Sequence, residues 1–151
     1  VLVYLTPLLL LLNGLAAGVL FGTQLGGQPY LASLPTDRYV HAHAFFGQRY
    51  DPAMPICLVG TFVLDTVLAV TAPDAAAQAL FAVGAVLAVT TAVISVVKNV
   101  PVNRWMRTLD PDNLPADFKD PRKIWGAWNN RRSLLTIAAL VVNCLALGVL
   151  L

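Results

Sequence analysis

AAAQALFAVGAVLAVTTAVISVVK, residues 75–98, carries no charged residue before its final lysine. A helix of about 20 apolar residues crosses the ~30 Å hydrocarbon core of a bilayer, and a run this long and apolar has no place in a soluble domain. The stretch therefore reads as a membrane span from about Ala75 to Lys98, and that reading decides the rest of the chain. TAPDA, residues 71–75, marks a turn by its Pro and Asp. The apolar run before it, about 52–71, is then an antiparallel span.

Two further spans follow by the same argument. One covers about 3–24; it has no positive n-region or recognisable cleavage context, so it reads as a retained span and not a signal peptide. The other covers about 126–151, purely apolar from Ser133, with KIWGAWNNRR (123–132) able to form its first turns. Composition agrees: 58% of the 151 residues are hydrophobic, 12% are charged, and the mean hydropathy is +0.71. The expected fold is all-α: a single integral membrane four-helix bundle with basic loops at 25–51 and 99–125. An amphipathic helical segment, about Pro35 to Tyr50, precedes the second span.

Charge sets the expected orientation. Arg38 and Arg49 lie before the second span and the other eight basic residues lie between Lys98 and Arg132, whereas the connection near Asp74 has none. The positive-inside rule places both basic loops in the cytoplasm and both termini outside. Trp105, Trp125 and Trp128 then sit at the cytoplasmic interface, where tryptophan is ordinarily an anchor. Cys57 and Cys144 lie in separate apolar runs, against a CxxC or zinc arrangement and for small buried residues.

Both histidines fall in YVHAHAFF, residues 39–46. Positions two apart on a helix point about 200° away from each other, so His41 and His43 cannot share an ion unless Pro35 or Gly47 breaks the helix. His43 falls on a face with Tyr39, Phe46 and Tyr50; His41 falls opposite, with Asp37 and Gln48. With both basic loops on one side, Gln24, His43, Asn99, Asn103, Trp128, Asn129 and Arg132 come within a turn or two of one interface. A neutral imidazole there can act as a general base. A second set, Asn13, Asp65 and Asn143, is embedded in apolar sequence at similar depth. An intramembrane aspartate suggests function, though helix glue is an equal alternative.

The stretches NVPVNRWMRTLDP (99–111), IWGAWNNRRSLLTIAAL (124–140) and YVHAHAFFGQRYDPAMP (39–55) resemble the DUF1772 family of small membrane proteins, which includes the fungal anthrone oxygenases. The family pattern, N-x-P-x-N closing a third helix and W-x-x-W-N-x-x-R opening a fourth, falls on Asn99, Pro101, Asn103, Trp125, Trp128, Asn129 and Arg132. Ala44 stands where relatives often have glutamine, and Asn130 where they often have histidine. The resemblance implies a four-helix membrane protein and, from the fungal members, oxidation of a small electron-rich metabolite by dioxygen without an added organic cofactor, in specialised metabolism.

On that expectation His43 takes a proton from the substrate, and Asn99, Asn103, Asn129 and Arg132 stabilise the anion. Gln24, Tyr39, Phe46, Tyr50 and Trp128 form the pocket. A variant adds copper or iron at His43 with His41 or an aspartate. The competing expectation is a non-enzymatic bundle: lipid-binding, structural or a small transporter subunit. A cavity reached by His43 and at least two of the asparagines favours chemistry, whereas His43 facing lipid favours the bundle. The expected partners are the bilayer and a small apolar or aromatic substrate. Nucleic acid is excluded by hydrophobicity, and self-association is left open.

Overall fold

The computed structural model describes residues 2–151, which are helical apart from short connections. The elements are α1 (Leu2–Gly22), a π-helical turn (Thr23–Gly27), α2 (Gln28–Ser33), α3 (Thr36–Thr71), α4 (Ala75–Ile94), a second π-helical turn (Ser95–Asn99), α5 (Val100–Met106) and α6 (Arg122–Leu150). Each π turn joins its neighbours into one rod, so four rods result, each long and apolar enough to cross a membrane. They pack as a ring in which α1 touches α3 and α6, and α4 touches the same two.

Polarity is inverted relative to a soluble bundle. Ile56, Val63, Val86, Val97, Leu134 and Leu145 face outward, while Ala16, Ala77, Ala88, Ala139 and Ala146 sit at the helix contacts. Lipid is as apolar as leucine, so small residues that let backbones approach are what hold such helices together. The same logic corrects the cysteines: Cys57 is buried but Cys144 is exposed, because an apolar run in a span does not imply an inward face. Thr61 and Thr66 bond back to the carbonyls of Cys57 and Phe62, both at 2.7 Å.

Of the expected basic loops, 25–51 is helical except at Leu34–Pro35, whereas 99–125 is irregular over 107–121 and helical only at its two ends. Leu34 is extended at φ −78°, ψ 146°, as the residue before a proline tends to be, and α3 starts just beyond. The 36 residues of α3 make a rod of about 54 Å, well beyond a ~30 Å core. The amphipathic segment is thus the projecting end of the second span and runs unbroken through Pro52 and Pro55. At the other end, Asp74 caps α4 by accepting from the backbone N–H groups of Ala76 and Ala77, at 2.8 and 3.0 Å.

The two π turns are built alike. Each opens on a hydroxyl residue that bonds back four positions, Thr23 to the Val19 carbonyl and Ser95 to the Thr91 carbonyl, both at 2.8 Å. Each is followed by a proline, Pro29 or Pro101. A proline ring collides with the carbonyl four residues back in a regular helix; here those carbonyls, of Leu25 and Val97, lie inside the widened turn. Both turns sit at the basic end, where they border the cavity described next.

Candidate functional site

Three helical faces meet at the basic end. On α3, His43, Gly47 and Asp51 recur every four residues; Asn99, Asn103 and Arg107 do so from the end of the second π turn, through α5, to the residue that follows it; Trp125, Asn129 and Arg132 follow on α6. Residues three or four apart share a helix face, so each element offers one polar stripe and the stripes converge.

Their hydrogen bonds fix a protonation pattern. Trp125 Nε1 donates to Asn103 Oδ1 at 2.8 Å, and because an indole N–H can only donate, the amide oxygen must lie on that side. Asn103 Nδ2 then donates to Asp51 Oδ1 at 3.3 Å. His43 Nε2 lies 3.0 Å from the same Asn103 Oδ1, so Nε2 carries the proton and, in the neutral ring, Nδ1 is an acceptor. That Nδ1 is buried and has no protein partner. The imidazole is held edge-on between Tyr39 and Trp125, with centroids 5.4 and 4.9 Å away. Asp51 pairs with Arg107, whose guanidinium crosses Gly47; a Cβ there would meet Nη2 at 3.4 Å.

His43, Asn103, Asn129, Arg132, Phe46 and Tyr50 line a cavity of about 820 Å³ between the four rods. Its remaining wall is mainly apolar, including Val19, Met54 and Leu58. Phe46 and Tyr50 are stacked, 6.0 Å apart with planes at 9°. Arg132 donates to Ser95 Oγ and Asn129 Oδ1, both at 3.0 Å.

Other expected residues are placed elsewhere. Asn99 is fully buried behind the wall and donates to the Trp125 carbonyl at 3.1 Å. Tyr39 borders a smaller cavity of about 110 Å³, with Gln28 and Arg122. Trp128 lies outside, flanked by the cations of Lys98 and Arg131 at 5.1 and 4.2 Å, as an interfacial anchor would. Gln24 is not on the wall, because the π turn changes which residues face inward and presents Thr23 and Gly27 instead. His41 is exposed while His43 is buried, and α3 breaks at neither Pro35 nor Gly47 in a way that reunites them. Among the described residues no group of three or more His, Cys, Asp or Glu side chains could hold a metal.

Asp51, Arg107 and Ser95 are not singled out by sequence, and Trp125 appears there only as an interfacial anchor and as part of the family pattern. Trp125 reads as an anchor until its place four residues before Asn129 is noticed. Arg122 is another such residue: it donates to the Leu34 carbonyl at 2.6 Å, covers the Tyr39 ring at 4.7 Å, and binds Asp120 Oδ2 at 2.7 Å. It ties the start of α6 to the α2–α3 corner. Burial raises the Asp120 carboxyl, but the side-chain and backbone hydrogen bonds from Arg122 outweigh it and hold the group below its ordinary value.

The second expected set does come together. Asn143 Nδ2 donates to Asn13 Oδ1 at 3.1 Å and lies 3.4 Å from Asp65 Oδ2, while Asn13 Nδ2 donates to the Thr136 carbonyl at 3.2 Å. Gly84 of α4 closes the group: a Cβ there would lie 2.6 Å from Asn143 Oδ1 and 2.8 Å from Asp65 Oδ2. Asp65 is 22 residues beyond His43 on α3, about 33 Å along the axis. An apolar layer of Ala16, Cys57 and Leu58 lies between.

Compared with models of protein families, residues 42–142 match the one described as anthrone oxygenase. The matched stretch takes in His43, Asn103, Trp125, Asn129 and Arg132 and leaves out Asn13 and Asn143. No match is found among curated proteins or among solved structures.

Proposed function

Since the chain belongs to the anthrone oxygenase family, we propose that the cavity at its basic end oxidises a small, apolar, electron-rich molecule with dioxygen. The observation that carries the proposal is His43 Nδ1: a buried lone pair without a protein partner, in a tautomer set by Asn103 and Trp125, on a residue that lines the 820 Å³ cavity. Such a nitrogen is suited to take a proton from a bound acid.

For an anthrone-type ring, the methylene gives one proton to His43 and becomes a carbanion delocalised onto the ring oxygen. The carbanion is oxidised by dioxygen. One oxygen atom becomes the new ring carbonyl, and the other leaves as water with the two methylene hydrogens. Asn129 and Arg132 line the same cavity and stabilise the anion. Asn103, whose oxygen is taken by His43 and Trp125, acts as a positioning residue, and so does Asn99 through the Trp125 carbonyl.

A cavity reached by His43 together with Asn103 and Asn129 supports chemistry over a purely structural bundle. On this reading the substrate enters from the lipid side of the apolar wall, the protein resides in the cell membrane, and the basic end lies in the cytoplasm. Oxygen uptake by the purified protein against a panel of anthrones, phenols and hydrazines tests it. At least one compound should drive uptake that His43→Ala abolishes; uptake unaffected by that change, or none across the panel, refutes it.

A further inference from the structure

The cavity holds a cation without a counter-ion. Arg132 is 8% exposed and its guanidinium bonds only neutral groups, Ser95 Oγ and Asn129 Oδ1. Among the described residues lining the cavity the only acid is Asp51, and it is engaged by Arg107. Two donor atoms lack an acceptor: Arg132 Nε and Asn129 Nδ2 are both buried without a partner, the asparagine being 1% exposed. A charge removed from water and left unpaired is costly, and two unused buried donors add to that cost. The two residues are one turn apart on α6 and line the same space.

We infer that Arg132 and Asn129 form a standing anion site, and that the molecules this cavity takes carry an ionised acidic oxygen, a carboxylate or phenolate, on an otherwise apolar body. The inference rests on the preceding proposal for the purpose of the site but reaches further. It concerns the ligand as it binds, before any proton moves. The polar end goes to Arg132 and Asn129, while the body lies against Phe46, Met54 and Leu58. A guanidinium with its Nε free offers a carboxylate a directed, charge-assisted hydrogen bond that no neutral analogue receives at full strength.

The test is calorimetric titration of the full-length protein in a nonionic detergent, with 2-naphthoate and 2-naphthalenemethanol as probes and empty micelles as the blank. The wild type should bind the carboxylate at least about tenfold more tightly than the alcohol. Arg132→Gln should bring the ratio close to one with the alcohol little changed. Asn129→Asp, nearly isosteric, places a carboxylate beside the guanidinium and should do the same even if Arg132→Gln fails to fold. His43→Ala should keep the preference. No preference in the wild type, or one that survives Asn129→Asp, overturns the inference. So does displacement of naphthoate by phosphatidylglycerol but not phosphatidylcholine, which would assign the position to a lipid headgroup. A protein that prefers the anion yet consumes no oxygen with any compound removes the oxidative proposal alone; oxygen uptake without anion preference removes this one alone.

Discussion

The bundle contains two polar groups built from the same few residue types, and they are finished differently. At the far end, Asn13, Asp65 and Asn143 are each no more than 1% exposed, bonded among themselves and pressed against Gly84. At the basic end, His43, Asn129 and Arg132 are 3%, 1% and 8% exposed and line an 820 Å³ space, with Nδ1, Nδ2 and Nε unpaired. Each group leaves buried polar atoms unpaired, Asp65 Oδ1 and Asn143 Oδ1 among them in the closed one, but only the residues of the open group line that space, which is why the proposed site lies there. Burial of polar atoms inside a membrane protein is thus not by itself a functional signature; burial beside room is.

The largest expected contrast is catalytic. His43→Ala should lower turnover by about 10²–10⁴-fold, the usual worth of a general base, while Asp65→Asn should leave it within about twofold. Comparable losses from the two would mean the groups are one site and break the distinction. Next comes packing: Gly84→Val drives a side chain into Asn143 and Asp65, and overfilling of this kind costs about 1–3 kcal/mol. Thermal unfolding in detergent should show a lower midpoint, with turnover per folded molecule retained. A smaller effect is expected at Trp125→Phe, which keeps the ring beside His43 but deletes the donor that orients Asn103. A lost hydrogen bond of about 1 kcal/mol predicts a roughly fivefold fall in kcat with little change in KM.

The smallest effect depends on pH. Asp120 is held below its ordinary value by Arg122, so its contribution is present at neutral pH and is lost as pH falls through that depressed pKa. The difference in unfolding midpoint between wild type and Asp120→Asn should therefore be largest near neutrality, start to shrink near the ordinary aspartate pKa of about 4, and vanish only in stronger acid, below the depressed pKa. A difference that grows on acidification would contradict the Arg122 clamp.

The site was partly legible because its chemistry rides on helical spacing. His43 could be separated from His41, and Asn13, Asp65 and Asn143 grouped by depth, from residue positions alone. Trp125 and Trp128 could not be told apart, since both are tryptophans near a basic interface; what separates them is about 300° of helix and the neighbours each meets. The place of Gln24 at the end of the first span points to the wall, but the extra residue of a π turn changes which side chains face inward. Arg107 and Asp51 are ordinary surface charges until α3 and α5 are side by side.

The sequence by itself determined the four spans, the end at which the basic residues gather and the faces on which the polar residues lie. Hydrophobic length and the 3.6-residue period act locally, and no partner is needed to read them. Tertiary structure alone decided that one polar group closes on a glycine while the other encloses a cavity, and that Asn103 hands its oxygen to both His43 and Trp125. Whether a buried donor finds an acceptor depends on the helix opposite, at distances of a few ångströms that no single helix specifies.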